Sequence, residues 1–255
     1  MQKKIKILDI FPDIYTEDWK LAKKEREELS KFLNEQTNGL VQLDLVFVEK
    51  GGASIEGAFD IAVNTPYILQ KVKWAEKDHY DAVVIDCFDD PGLEAAREIV
   101  TIPVVSANQS ACFLASELGQ RFSIINVVPE VEVRSRYLLR KYGIIDNLAS
   151  IRTINVPVLD LEKNYTKVLQ AVVDAAKKAV IEDGAHVIVF GCTGMAVFLK
   201  EVKTELEKEG LNVPIIEPLR AAIYDAIRLV LMGVSHSKMA YRVPREKLRV
   251  LDFEI

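Results

Sequence analysis

The feature that most constrains this chain is an alternation of strand and helix patterns that runs through it twice. Short β-rich apolar runs fall at 4–10, 41–48, 81–86 and 102–105, then at 121–127, 151–156, 185–191 and 213–216. Between and after them, helical patterns cover 17–36, 60–77, 91–99, 109–118, 130–142, 164–181, 195–209 and 218–231. Strict alternation of this kind calls for parallel strands joined by right-handed crossovers. Ala82–Ile85 and Val187–Phe190 are apolar at every position, as strands covered by helices on both faces must be. The expected class is α/β.

The two sets of four strands match at three landmarks, in the same order. The first strands run Ile7-Leu8-Asp9-Ile10-Phe11-Pro12-Asp13 and Ile124-Ile125-Asn126-Val127-Val128-Pro129-Glu130. The third strands end in cysteine, as Val84-Ile85-Asp86-Cys87 and Val189-Phe190-Gly191-Cys192. The fourth read Ile102-Pro103-Val104-Val105 and Val213-Pro214-Ile215-Ile216, each followed within a few residues by a helix containing Ser-Ala or Ala-Ala. One match would be weak, but three in order indicate a pseudo-twofold duplication. The expected architecture is two pseudo-symmetric lobes, each a four-stranded parallel sheet flanked by helices, over residues 1–105 and 106–217.

Ligands of open parallel sheets bind beyond the carboxyl ends of the strands. Cys87 and Cys192 sit at that end of equivalent strands, 105 positions apart in sequence. Lobes facing each other about a pseudo-dyad would set the two thiols on opposite sides of one ligand. Inverting an acidic C–H centre without a cofactor needs a base on one face and an acid on the other. Two identical residues meet that need by exchanging roles, and a thiol, with a reference pKa of about 8.5, suits the task. Cys87-Phe88-Asp89-Asp90-Pro91-Gly92 reads as a strand end, loop and helix start, with Asp90 as N-cap and Pro91 at the first helical position. Cys192-Thr193-Gly194-Met195 is a similar tight turn into a helix. Helix N-termini at both turns are expected to favour thiolates. Cys112, inside a helical pattern, reads as core.

Other chemistries find less support. Net charge is -5, from 33 basic and 38 acidic residues, which leaves no footprint for nucleic acid. The basic run 20–26 is interleaved with acids and reads as a solvated helix face. Residues 1–10 form a short apolar strand behind two lysines rather than a secretory leader, and no apolar run reaches membrane-span length, so a cytoplasmic protein is expected. Three cysteines are too few for a disulfide framework, and none has metal-ligand spacing. His79, His186 and His236 are scattered and read as surface or loop residues. No glycine-rich phosphate loop follows the first strand and no lysine stands out as a Schiff-base site, so no cofactor and no metal are expected.

Longer stretches carry a resemblance. Residues 87–98 with Ile102-Pro103-Val104-Val105, the segment Gly51-Gly52-Ala53-Ser54-Ile55-Glu56-Gly57, Leu118-Gly119-Gln120-Arg121-Phe122-Ser123, Gly191-Cys192-Thr193-Gly194-Met195, and Ser237-Lys238 followed by Tyr241 are all part of it. Over nearly its whole length the chain resembles the aspartate/glutamate/hydantoin racemase superfamily, within it the hydantoin and allantoin racemase branch. The resemblance implies two flavodoxin-like lobes, a site between them, two catalytic cysteines (Cys87 and Cys192) and no cofactor. It also implies that the C-terminal segment 218–255 packs back on the first lobe. Two departures stand out. Phe11-Pro12-Asp13-Ile14 replaces the usual Asn-Pro-Asn-Thr, and Asn108-Gln109-Ser110 replaces the usual Gly-Glu-Ala.

The expected activity is racemisation of a 5-substituted hydantoin or related cyclic ureide. Substrate contacts are expected from Phe11, Ser54, Ile55, Phe88, Asp89, Thr193, Gly194 and Met195. An aspartate- or glutamate-type racemase is the alternative enzyme, although Gly194 stands where that branch usually carries Glu or His. A non-catalytic small-molecule binding protein on the same fold is the alternative outside catalysis. The expected partners are a small-molecule substrate and further copies of the chain in a homo-oligomer, with neither nucleic acid nor membrane.

Overall fold

A computed structural model describes residues 4–250 of the chain. Residues 251–255, the end of the segment expected to return to the first lobe, lie outside the described residues, as do residues 1–3. The first half comprises β1 (Ile5–Phe11), α1 (Lys20–Gln36), β2 (Val41–Phe47), α2 (Ala58–Lys77), β3 (Ala82–Ile85), α3 (Leu93–Ile99), β4 (Val104–Ser106) and α4 (Ala107–Leu118). The second comprises β5 (Phe122–Asn126), α5 (Glu130–Tyr142), β6 (Leu148–Thr153), α6 (Tyr165–Ile181), β7 (Val187–Phe190), α7 (Leu199–Lys208), β8 (Ile215–Ile216) and α8 (Pro218–Leu231). Short 3-10 turns at Glu17–Trp19 and Thr193–Phe198 lead into α1 and α7.

The described strands form two parallel sheets of four, ordered β2-β1-β3-β4 and β6-β5-β7-β8. The identical order is the duplication expressed in space. In each sheet the chain leaves the first strand to one side and the third to the other, so the order reverses between β1 and β3 and between β5 and β7. That reversal opens a crevice at the strand ends, where Cys87 and Cys192 stand. β3 and β7 are buried at every residue. β4 begins later than expected because Pro103 has no N–H for the ladder, although its carbonyl still accepts from Val83 N–H at 2.9 Å.

The last helix of each half packs on the other sheet. Ala111, Cys112 and Ala115 of α4 pack against Val187 and Val189 of β7. Leu219, Ala222, Ile223 and Ala226 of α8 pack against Ile5, Ile7, Val84 and Val105 of the first sheet. Cys112 is fully buried in this apolar contact. On α1, Ala22, Arg26, Leu29 and Leu33 form the buried face at helical spacing. Arg26 corrects the reading of 20–26 as a solvated run, because its side chain is 1% exposed.

The tail motif fastens the C-terminal segment to the first sheet. Lys238 donates through Nζ to the carbonyls of Arg97 (2.6 Å), Glu98 (3.3 Å) and Val100 (2.5 Å), groups that the end of α3 leaves without helical partners. Tyr241 Oη accepts from Arg97 Nη1 at 3.1 Å. His236, expected at the surface, is half-buried, and its Nε2 accepts from Val104 N–H at 3.0 Å. Burial and the nearby Arg97 lower its pKa to about 4.

Replacing Lys238 with Ala should destabilise the fold by about 1–3 kcal/mol, the range for losing hydrogen bonds to a charged donor. The expected readout is a lower urea midpoint with an unchanged slope; an unchanged midpoint would contradict the latch. His236 binds its proton more readily unfolded (reference about 6.5) than folded (about 4). Its contribution to stability should therefore be lost as pH falls between those values, and His236→Gln should flatten that limb.

Candidate active site

Three strand ends converge at the crevice. β1 delivers Phe11, Pro12 and Asp13, β3 delivers Asp86 and Cys87, and β7 delivers Gly191 and Cys192. Both thiols line one narrow cleft of about 40 Å³. Gly191 makes the second thiol's position possible. A Cβ there would fall 1.9 Å from Asn126 Oδ1 on the neighbouring strand, so only glycine lets β7 reach its cysteine in this register. A larger groove, about 810 Å³, lies between α4 and α8, but its lining includes no thiol.

The turn after Cys87 departs from the expected cap. Asp90 takes a left-handed backbone (φ 47°), Gly92 follows at φ 70°, and α3 starts only at Leu93. Asp90 is a helix cap, but for α4 rather than for α3. Its carboxylate accepts from the N–H groups of Asn108 (3.0 Å) and Gln109 (3.1 Å) and from Tyr142 Oη. A left-handed aspartate persists because these three donors hold it. Thus α3 does not present its N-terminus to Cys87, whereas Cys192 does lead directly into the turn at Thr193.

Seven of the ten expected site residues line the cleft: Cys87, Cys192, Phe11, Ile55, Phe88, Asp89 and Thr193. Three do not. Ser54 is half-buried outside the lining, and Met195 is fully buried in the core of the second sheet. Gly194 is buried behind Cys192, where an added Cβ would meet the sulfur at 3.5 Å and Trp19 at 3.6 Å. The lining also includes Asp13, Trp19, Val127, Val131 and Val158, which sequence reasoning did not single out as site residues. Trp19 is 4% exposed, meets Phe11 edge to face at 4.8 Å, and donates from Nε1 to Ala53 O at 2.8 Å. Its apolar neighbours at helical spacing, Ala22 and Leu29, offered a signal for a buried face, but not for a face against the other lobe.

The cleft is acidic and its thiols are buried. Burial, then the charges of Asp89 and Asp13, push the Cys87 thiol well above its ordinary pKa. Burial likewise pushes Cys192 up to about 12, against an opposing pull from the Gly194 N–H and Arg26. These shifts reverse the sequence expectation that helix N-termini would dominate, because desolvation outweighs the backbone donors. Burial raises Asp89 to about 7 despite Arg134 nearby. Beneath the floor, Arg26 pairs with Asp86 through Nε and covers the Phe11 ring at 4.9 Å.

Backbone-directed carboxylates join the two halves around this cleft. Glu56 accepts from Val158 N–H at 2.6 Å, and Glu162 accepts from Ala22 N–H at 2.9 Å and Leu21 N–H at 3.3 Å at the start of α1. Thr193 Oγ1 donates to Asp86 O at 3.4 Å.

With thiols disfavoured as anions, iodoacetamide should label Cys87 and Cys192 slowly at neutral pH and faster as pH rises. Removing the acid beside Cys87 by Asp89→Asn should speed its labelling, with buried Cys112 unlabelled throughout. Peptide mapping reads the result. Unchanged Cys87 labelling would show that Asp89 does not govern that thiol.

The profile of the Asp/Glu/hydantoin racemase family matches residues 27–226. A hydantoin racemase of Paenarthrobacter aurescens is 39% identical over 200 residues, covering 78% of this chain and 83% of that protein. An allantoin racemase structure from Klebsiella pneumoniae superposes with a TM-score of 0.84 at 29% identity, covering 98% of both chains. That of Pseudomonas fluorescens gives 0.81 at 25% identity, covering 96% of this chain and 100% of the other. With a family match across both sheets and a close curated relative, the chain belongs to the Asp/Glu/hydantoin racemase family.

Proposed function

We propose that the chain is a cofactor-independent racemase of 5-substituted hydantoins or a related cyclic ureide, with Cys87 and Cys192 as its two bases. The observation that carries this reading is that both thiols line one cleft from equivalent strand ends of a duplicated fold. The hydantoin racemase relative and the allantoin racemase neighbours support the ureide assignment. The carbon to be inverted carries one hydrogen beside a ring carbonyl. One thiolate removes that hydrogen, the charge spreads onto the carbonyl oxygen, and the opposite thiol returns a proton to the other face. The roles reverse for the other enantiomer. Backbone N–H groups at the first turn of Thr193–Phe198 are suited to the oxygen that gains charge.

Phe11, Phe88, Ile55, Val127, Val131 and Val158 give the cleft an apolar wall. That wall suits a non-polar substituent. Among the described residues no lysine, arginine or histidine lines the cleft, which disfavours a free amino-acid carboxylate and hence the aspartate or glutamate reading.

Cys87→Ser and Cys192→Ser should each lower racemisation by roughly 10²–10⁴, the usual worth of a positioned proton-transfer group. Cys112→Ser should leave it nearly unchanged. Polarimetry measures the rate, and deuterium incorporation at the inverted carbon separates catalysis from mere binding. Normal turnover in either cleft mutant would overturn the two-base scheme. Wild-type protein should also show greater kcat/KM for a hydantoin with an apolar 5-substituent than for allantoin or aspartate; a preference for aspartate would overturn the substrate assignment.

A further inference from the structure

Asp13 is an acid placed where a catalytic cleft of two thiols has no need of one. It is 4% exposed yet lines the cleft with Cys87 and Cys192. Its position is fixed by Asn64, itself fully buried. Asn64 Oδ1 accepts from Gly52 N–H at 2.7 Å, which orients the amide. Its Nδ2 then donates to Pro12 O at 3.0 Å and to Asp13 Oδ1 at 2.8 Å. Gly51 allows this approach, because at φ 127° its missing Cβ would fall 2.6 Å from Asn64 Oδ1. Among the described residues, Asn64 is the only side-chain donor shown on Asp13, so Asp13 Oδ2 is left for a group entering the cleft. Asn64 thus holds one carboxylate oxygen and leaves the other as an acceptor.

The neighbourhood sharpens the requirement. Asp89 is a second carboxyl in the lining, and the Arg26 cation beneath is already engaged by Asp86. A ligand seated here meets carboxyl groups on one side and apolar side chains on the other. Burial and the charge of Asp86 push the Asp13 carboxyl well above its ordinary range, with the Asn64 donor pulling the other way, and an N–H brought to Oδ2 adds to that pull toward the anion. It needs an N–H donor toward Asp13 and no anion of its own. An amide at this position would behave differently. With its oxygen held by Asn64 Nδ2, it would turn its NH₂ to the cleft and ask for a carbonyl.

We propose that Asp13 is the specificity-determining residue of the cleft, accepting a ring N–H of the substrate and so selecting neutral cyclic ureides with that nitrogen unsubstituted. This rests on the racemase reading above. It narrows the substrate class to rings whose N–H survives and whose carboxyl function is locked in the ring as an amide. An N-alkylated ring would leave the Asp13 oxygen buried and unpaired, and a free α-carboxylate would add an anion beside it.

The test compares wild type, Asp13→Asn and Asp13→Ala on one 5-substituted hydantoin and its two ring N-methyl derivatives, with thermal melting to confirm folding. In wild type, methylation at one ring nitrogen should lower kcat/KM at least about tenfold, as expected where a site built for an N–H meets an analogue lacking it. In both variants that ratio should collapse toward one, and Asp13→Asn, which keeps the shape and the contact to Asn64, guards against a folding artefact. The same methyl penalty in wild type and both variants would overturn the assignment, because the effect would then be steric. So would the absence of any penalty in wild type. Failure of wild type to racemise any hydantoin would overturn the racemase reading itself and this assignment with it, a result distinct from turnover without Asp13 dependence.

Discussion

Two thiols that each follow the end of a parallel strand can serve opposite faces of one carbon only if they belong to separate sheets whose carboxyl ends face each other. A single sheet cannot do this, since all its strand ends face one way. Everything around the cleft follows from keeping that apposition. Trp19 belongs to the first half of the chain but packs in the core of the second sheet and donates back to Ala53. Glu162 closes the start of α1 from the second half, and Glu56 holds Val158 from the first. The exchange of α4 and α8 between sheets adds apolar surface to the same joint. A cleft of about 40 Å³ is small for a ring, and contacts of this kind stand across the joint that a wider cleft would have to open. The carboxylate-to-backbone bonds of Glu56 and Glu162 are suited to yield first, because water can replace either partner once the joint opens.

The sheets were legible because burial on both faces leaves β3 and β7 uniformly apolar, and because the duplicated cysteine motifs mark the same strand end twice. The fine structure of the turns was less so. Asp90-Pro91 carries the signature of a helix start, yet the carboxylate reaches α4, which lies beyond β4 in sequence. Local pattern cannot tell a cap for the next helix from a cap for a spatial neighbour. Arg26 was hidden in a run of charges, although its spacing from Ala22, Leu29 and Leu33 places it on the buried stripe. Val127, Val131 and Val158 gave no site signal, because they border the cleft only through the placement of one half against the other. Met195 shows the opposite error, since nearness in sequence to Cys192 did not bring it into the lining.

Burial of the thiols opposes the proposed two-base scheme in one respect, since it disfavours the anion that the scheme requires. Desolvation also raises the basicity of whichever thiolate forms, and a carbon acid needs a strong base. The scheme requires only one thiolate at a time, with the other sulfur protonated. In the two-base scheme proposed above the opposing pressures are shared: one buried anion is enough, and its charge would pass from one sulfur to the other as the proton crosses the carbon.

The two sulfurs are chemically identical but stand in different fields. Cys87 faces the carboxyls of Asp89 and Asp13, which oppose its ionisation, and receives the Asp89 N–H, which favours it. Cys192 feels Arg26 and receives the Gly194 N–H, both of which favour its anion, with Asp86 and Asp13 opposing. A single negative charge shared by the pair is thus better held at Cys192 than at Cys87. The duplication makes the backbone symmetric, whereas α1, which supplies Arg26 to the floor of the cleft, makes the charge asymmetric. Such a bias cannot alter the ratio of kcat/KM between enantiomers, because their interconversion has an equilibrium constant of one. Under the proposed scheme it acts instead on how kcat and KM are divided for each hand, since one enantiomer would meet its base already ionised and the other would first need the proton moved across.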